Sequence, residues 1–174
     1  MKGRRRARHA ALQAPYELDV TSHPLEGVLE ARTLEFLRSA SAQALDRTHR
    51  RVIECLIEEH AAGGFVGVPT PEVAVRLKTD LQRVVAAVEF LRGLVPHVEY
   101  IGSIVRGVWR SRDAIDRVVG RIAPEWPVAQ MSPIDRNVLR IALWEMATDS
   151  APTRVAINEA VELARLFNGE ASRR

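Results

Sequence analysis

The chain of 174 residues holds a single cysteine, Cys55, so it can form no intramolecular disulfide and no cysteine-based metal site. That usage suits a reducing compartment. Aromatic residues are scarce at 5%, which leaves leucine, valine, isoleucine and alanine to fill the interior. No apolar run approaches the roughly 18 residues of a membrane span. The arginine-rich start is not followed by the apolar stretch of a signal peptide, because Gln13, Pro15, Glu17 and Asp19 interrupt it. His9, His23, His49, His60 and His97 are scattered, without the spacing of a helical metal-binding pair. Gly63, Gly64 and Gly67 lack the lysine and hydroxyl residue of a phosphate-binding loop. The expectation is a cytoplasmic protein that does not enter membranes, is not an enzyme and needs no cofactor or metal.

What the chain does contain is globular: 47% apolar and 27% charged residues, enough for one domain around one core. The net charge of +3 is unevenly distributed. Lys2, Arg4, Arg5, Arg6 and Arg8 precede the first acidic residue, Glu17, and contribute +5, so the remainder sums to −2. The basicity is a local device on a nearly neutral body.

The apolar period is helical throughout. Ala7, Ala10, Ala11, Ala14 and Leu18 line one face of a first helix, with Leu12 and Tyr16 beside it. Pro15 predicts a kink or an early end there. Residues 25–47 and 48–61 read as two further helices. Thr70-Pro71 reads as an N-cap followed by a first helical proline. Short helices follow over Val73–Leu77 and Leu81–Leu94, and a separate amphipathic stretch runs from Val98 to Ile122 after Pro96. Ser132 to Asp135 has a capping-box outline. It opens a helix whose body, Val138 to Met146, is apolar on nearly every side, as at the centre of a bundle. The last helix begins near Pro152-Thr153, is expected to bury Ile157, Val161, Ala164 and Phe167, and stops at Asn168-Gly169. The fold class is all-α.

Three segments, in order, carry a resemblance. The first is Arg4-Arg5-Arg6-Ala7-Arg8 leading to Gln13-Ala14-Pro15-Tyr16. The second is Ile104-Val105-Arg106-Gly107-Val108 with Ile115-Asp116. The third and most specific is Ile134-Asp135-Arg136-Asn137-Val138-Leu139-Arg140-Ile141-Ala142-Leu143-Trp144-Glu145-Met146, followed by Val155-Ala156-Ile157-Asn158-Glu159-Ala160-Val161-Glu162-Leu163-Ala164. Together they resemble the NusB family of transcription antitermination factors. The resemblance implies a NusB-like helical bundle over 1–174, a single RNA-binding domain. It implies binding of boxA-type RNA together with a small-subunit ribosomal protein, NusE, within the RNA polymerase antitermination complex. The sequence departs from the family at Pro15 and in a helical insertion at about 25–96. It also ends at Arg174, where the family adds a final helix, which is expected to leave part of a core groove uncovered.

On that footing Arg4, Arg5, Arg6 and Arg8 are the candidate RNA-binding residues, since each arginine offers a planar fork of donors to phosphate. Tyr16 either stacks on a base or lies half-buried in the core. Asp135 and Arg136, at the start of their helix, are the candidate contacts to the ribosomal protein. Arg140, Glu145, Asn158 and Glu159 are polar residues on apolar helices, and the expected arrangement is an Arg140 pair with Glu159 or Glu145. A DNA-binding alternative rests on the helix-turn-helix outline of residues 52–94, although Gln82, Arg83, Glu89 and Arg92 give its second helix little reach toward bases.

Overall fold

In the computed structural model, which describes residues 2–44 and 47–168, every regular element is helical. The order is α1 (Lys2–Val20), α2 (Leu25–Ala44), α3 (Arg47–His60), α4 (Thr70–Leu77), α5 (Leu81–Ile122), α6 (Pro133–Ala147) and α7 (Thr153–Asn168), with short 3₁₀ turns at Ala61–Gly63 and Val128–Gln130. The chain divides into two compact units, Met1–Leu29 with Tyr100–Arg174, and Glu30–Glu99.

In the first unit α1 is built on alanine, the strongest helix former. Ala7, Ala11, Ala14 and Leu18 share a face and are almost wholly buried, so their small side chains let neighbouring backbones come close. Of the two outcomes expected at Pro15, a kink or an early end, the early end does not occur, and the helix continues to Val20. A proline removes its own hydrogen bond to the preceding turn, and its ring crowds the carbonyl four residues back. Here the ring is buried, and the packing of Ala14 and Leu18 on either side carries the helix through. Helix α6 packs against both α1 and α7. Its start is capped as expected: the Ser132 hydroxyl accepts the Asp135 backbone N–H at 3.1 Å and donates to the Asp135 carboxylate at 2.8 Å. Gly107 of α5 is required by a close approach, since a methyl there would lie 2.2 Å from the Trp144 indole.

Two expectations are corrected here. Ile157 and Val161 of α7 are 49% and 44% exposed, and its buried positions are Ala156, Glu159 and Leu163. The helix is thus turned so that a carboxylate, which has arginine partners waiting, faces inward in place of the larger aliphatics. Pro96 does not separate two helices either, because α5 runs unbroken from Leu81 to Ile122. The Gly169 stop signal lies outside the described residues.

The second unit has a core of Phe36 and Leu37 from α2, Val52, Ile53, Leu56 and Ile57 from α3, Val73 and Ala74 from α4, and Val84, Val88 and Leu91 from the first part of α5. Gly64 and Phe65 are both left-handed (φ 61° and 63°), a costly conformation for a bulky residue. Phe65 is held in it because its N–H donates to the His60 carbonyl, its carbonyl accepts from Arg92 Nε at 3.0 Å, and its ring is 1% exposed. Helix α4 begins one residue earlier than expected, with Pro69 as N-cap and no capping bond from Thr70. Pro71 still falls in the first turn, where a missing N–H costs nothing.

Candidate nucleic-acid interface

The arginines of α1 divide by helix geometry into different environments. Arg4 is exposed, and its guanidinium carbon lies 5.2 Å from the centroid of the Tyr100 ring. Arg5 grips Glu159 with two nitrogens, Nη2 at 2.9 Å and Nε at 3.1 Å, and lies 3.9 Å from Glu162. The hydrogen bond to Glu159, and then its charge, raise the Arg5 pKa. Arg6 is half-buried, with its Nη2 buried and without a hydrogen-bond partner among the described residues. Arg8 is 3% exposed, and its Nε donates to both oxygens of Glu145 at 2.9 and 3.0 Å. Burial alone would lower the Arg8 pKa, but the hydrogen bond and charge of Glu145 outweigh it and the net shift is upward. Tyr16 is 41% exposed, on the outer surface rather than in the core. His9 stacks on Phe167, ring centroids 5.0 Å apart.

Glu145 is the hub of this end of the molecule. It is 1% exposed and accepts from Arg8 and from the Tyr100 hydroxyl. Burial, then the bond to Glu145, raise the Tyr100 pKa, which keeps the phenol protonated and donating.

A second polar cluster sits further along the same helix pair. Arg140, 5% exposed, is fixed between Asp116 (Nη2 to Oδ2, 2.6 Å) and Asp19 (Nη1 to Oδ2, 2.9 Å). Asp19 also accepts from Arg136 and from Asn137, each at 2.9 Å. Burial would raise the Asp19 pKa, but these donors overcome it and hold the carboxyl low. The expected pairing of Arg140 with Glu159 or Glu145 is therefore corrected. Five positions on one helix differ by about 140° in direction, so Arg140 and Glu145 face different neighbours. Asn158 is exposed and joins neither cluster.

Of the two candidate partner contacts, Arg136 is 19% exposed and bound to Asp19, while Asp135 is half-buried beside a cleft of about 600 Å³. Trp126, Leu139 and Val161 contribute to its apolar walls, 67%, 38% and 44% exposed. Among the described residues there is no group of three or more metal-ligating side chains, and no helix is long and apolar enough to cross a membrane. The helical hairpin behind the DNA-binding alternative gains no support: residues 30–99 carry nine Lys and Arg against ten Asp and Glu, not the basic footprint that duplex binding requires.

Sequence reasoning missed Tyr100 and the pairing of Arg8 with Glu145. The signal was a charged residue at a core position of each helix, but pairing partners 137 residues apart needs the fold.

Comparison with known proteins bears on the same segments. Residues 89–174 match the pattern of the NusB family. A transcription antitermination protein NusB of Herpetosiphon aurantiacus is 48% identical over 80 residues, 44% of this chain and 55% of that protein. The namesake of Rubrobacter xylanophilus is 48% identical over 73 residues, 41% of this chain and 52% of that protein. Over these matches the chain spans about half the length of its relatives. That of Chloroflexus aggregans is 32% identical over 174 residues, covering 98% of this chain and 79% of its own length. No solved structure matches. With a relative of this likeness aligned along nearly its whole length, the chain belongs to the NusB family.

Proposed function

We propose that this protein is a transcription antitermination factor that binds boxA-type RNA together with a small-subunit ribosomal protein, NusE, and so supports transcription of ribosomal RNA operons. It acts in the cytoplasm, as part of the RNA polymerase antitermination complex, by binding rather than by catalysis, and residues 1–174 serve as a single RNA-binding domain with an inserted helical segment. The observation that carries this reading is the anchoring of the arginine-rich α1 on Glu145 and Glu159, which lie within residues 89–174, the stretch that matches the NusB family.

In this reading Arg4, Arg5 and Arg6 meet phosphates, Tyr16 offers an exposed ring for a base, and Arg8 holds the helix that presents them. Arg5 exchanges Glu159 for phosphate, an anion that fits the same planar fork. Asp135 and Arg136 contact the ribosomal protein.

Fluorescence anisotropy with a labelled boxA-type RNA tests the proposal. Each lost phosphate contact on a single strand lowers the salt slope by about 0.7, so Arg4, Arg5 and Arg6 all changed to alanine should lower it by about 2 and weaken binding at least tenfold. Unchanged affinity and slope would remove the cluster as the site. A pull-down with the purified ribosomal protein, repeated with Asp135→Ala and Arg136→Ala, tests the partner face.

A further inference from the structure

Arg4 differs from Arg5 and Arg8 in what holds it. They are bound to carboxylates, Arg5 through Nε and Nη2 and Arg8 through Nε, which neutralise their charge. Arg4 has no carboxylate partner among the described residues and lies against the Tyr100 ring. An aromatic face attracts a guanidinium through its quadrupole without accepting conventional hydrogen bonds from all of its donors. Among the described residues no carboxylate takes up the Arg4 N–H donors or neutralises its charge, and both are what a phosphate requires.

The ring itself is fixed. Arg4 and Arg8 are one turn apart on α1 and share a face, and their guanidinium carbons lie 5.2 and 5.5 Å from the Tyr100 centroid. The Tyr100 hydroxyl is tied to Glu145, the same carboxylate that accepts Arg8 Nε. A continuous chain of contacts therefore runs from the buried Glu145 through the tyrosine ring to the exposed Arg4. Fixing a long side chain in advance reduces the rotamer entropy lost when it meets its ligand.

We propose that Tyr100 is a positioning residue for RNA binding, holding the Arg4 guanidinium over its ring, tethered through Glu145, with the phosphate-facing donors of Arg4 left open. The role rests on the RNA-binding reading given above.

The experiment compares four variants of the full chain with the parent protein in anisotropy titrations against a labelled boxA-type RNA: Tyr100→Leu, Tyr100→Phe, Arg4→Ala and the double variant Arg4→Ala/Tyr100→Leu. Tyr100→Leu should bind roughly two- to fivefold more weakly, the scale of a surface cation–π contact. Tyr100→Phe keeps the ring but loses the tether to Glu145, and should bind between the parent and Tyr100→Leu. Because Tyr100 acts through Arg4, the double variant should bind no more weakly than Arg4→Ala alone. A purely structural role would not give this last result, since damage to the fold would add to the loss of Arg4. If Tyr100→Leu loses helicity by circular dichroism, Tyr100→Met, equally free of a ring but more adaptable in packing, replaces it. Full affinity in Tyr100→Leu, or an undiminished loss in the Arg4→Ala background, overturns the positioning role while leaving RNA binding intact. Failure of the parent protein to bind the RNA overturns the RNA reading, and the positioning role falls with it.

Discussion

Changing Arg8 to methionine removes the cation from an ion pair whose side chains are 4% and 1% exposed, while keeping most of the apolar stem. The Glu145 carboxylate is then left in the core with, among the described residues, the Tyr100 hydroxyl alone to accept from. An uncompensated buried charge of this kind costs about 3–5 kcal/mol. That is a large share of the 5–15 kcal/mol that typically separates folded from unfolded chains. In a chain of this size it corresponds to a fall in melting temperature of roughly 6–20 °C. The protein supplies its own probe, because Trp109, Trp126 and Trp144, its three tryptophans, all lie in the unit that contains the pair. Urea unfolding followed by tryptophan fluorescence therefore reports on this unit, whatever the other does. Adding Glu145→Gln to Arg8→Met removes the stranded charge and keeps an acceptor for Tyr100, so more than half of the loss should return. A loss below about 1 kcal/mol, the scale of an exposed pair, would refute the argument. So would a double variant no more stable than Arg8→Met.

Two further effects follow from the same unit. Gly107→Ala forces a methyl into the Trp144 indole and should cost about 1–3 kcal/mol by overpacking, with a change in native tryptophan fluorescence as the indole moves; unaltered emission and stability would contradict the contact. Asp19 has a lowered folded pKa, so its stabilising contribution is fully present above the ordinary value of 3.8 and is lost as pH falls through the folded one. Asp19→Asn should therefore lower stability at neutral pH and flatten its acid dependence below about pH 4, as measured by denaturation midpoints across pH; an unchanged acid slope would contradict the sign.

Helix content and the first-turn signals were legible because they depend on neighbours in sequence: the Ser132 cap and the α1 alanine face need only local spacing. The early end at Pro15 and the helix break at Pro96 do not occur, for the opposite reason. A proline inside a helix is a local penalty, and at Pro15, whose ring is buried, the surrounding packing is something spacing cannot evaluate. The face of α7 was misread because its apolar residues outnumber what the bundle takes in, and inward-facing Glu159 is explained only by the arginines of α1. The arginine cluster was visible as charge, yet its division into anchors and free donors was not. That division turns on Tyr100 and Glu145: Glu145 stood out as a polar residue on an apolar helix, but its partners, Arg8 and Tyr100, lie on other helices and spacing does not reveal them.

Asp19 and Arg8 stand eleven residues apart on α1, close to three turns, and each is bound to α6, the first to Arg136, Asn137 and Arg140, the second to Glu145. The two polar clasps act together as a vernier on the helix pair. Adding or deleting one residue between them would swing one clasp about 100° away from its partners while leaving the other closed. α1 should therefore accept substitutions at its outward positions between Arg8 and Asp19, such as Tyr16, but not at its buried alanine face, and very few changes of length anywhere between the two clasps.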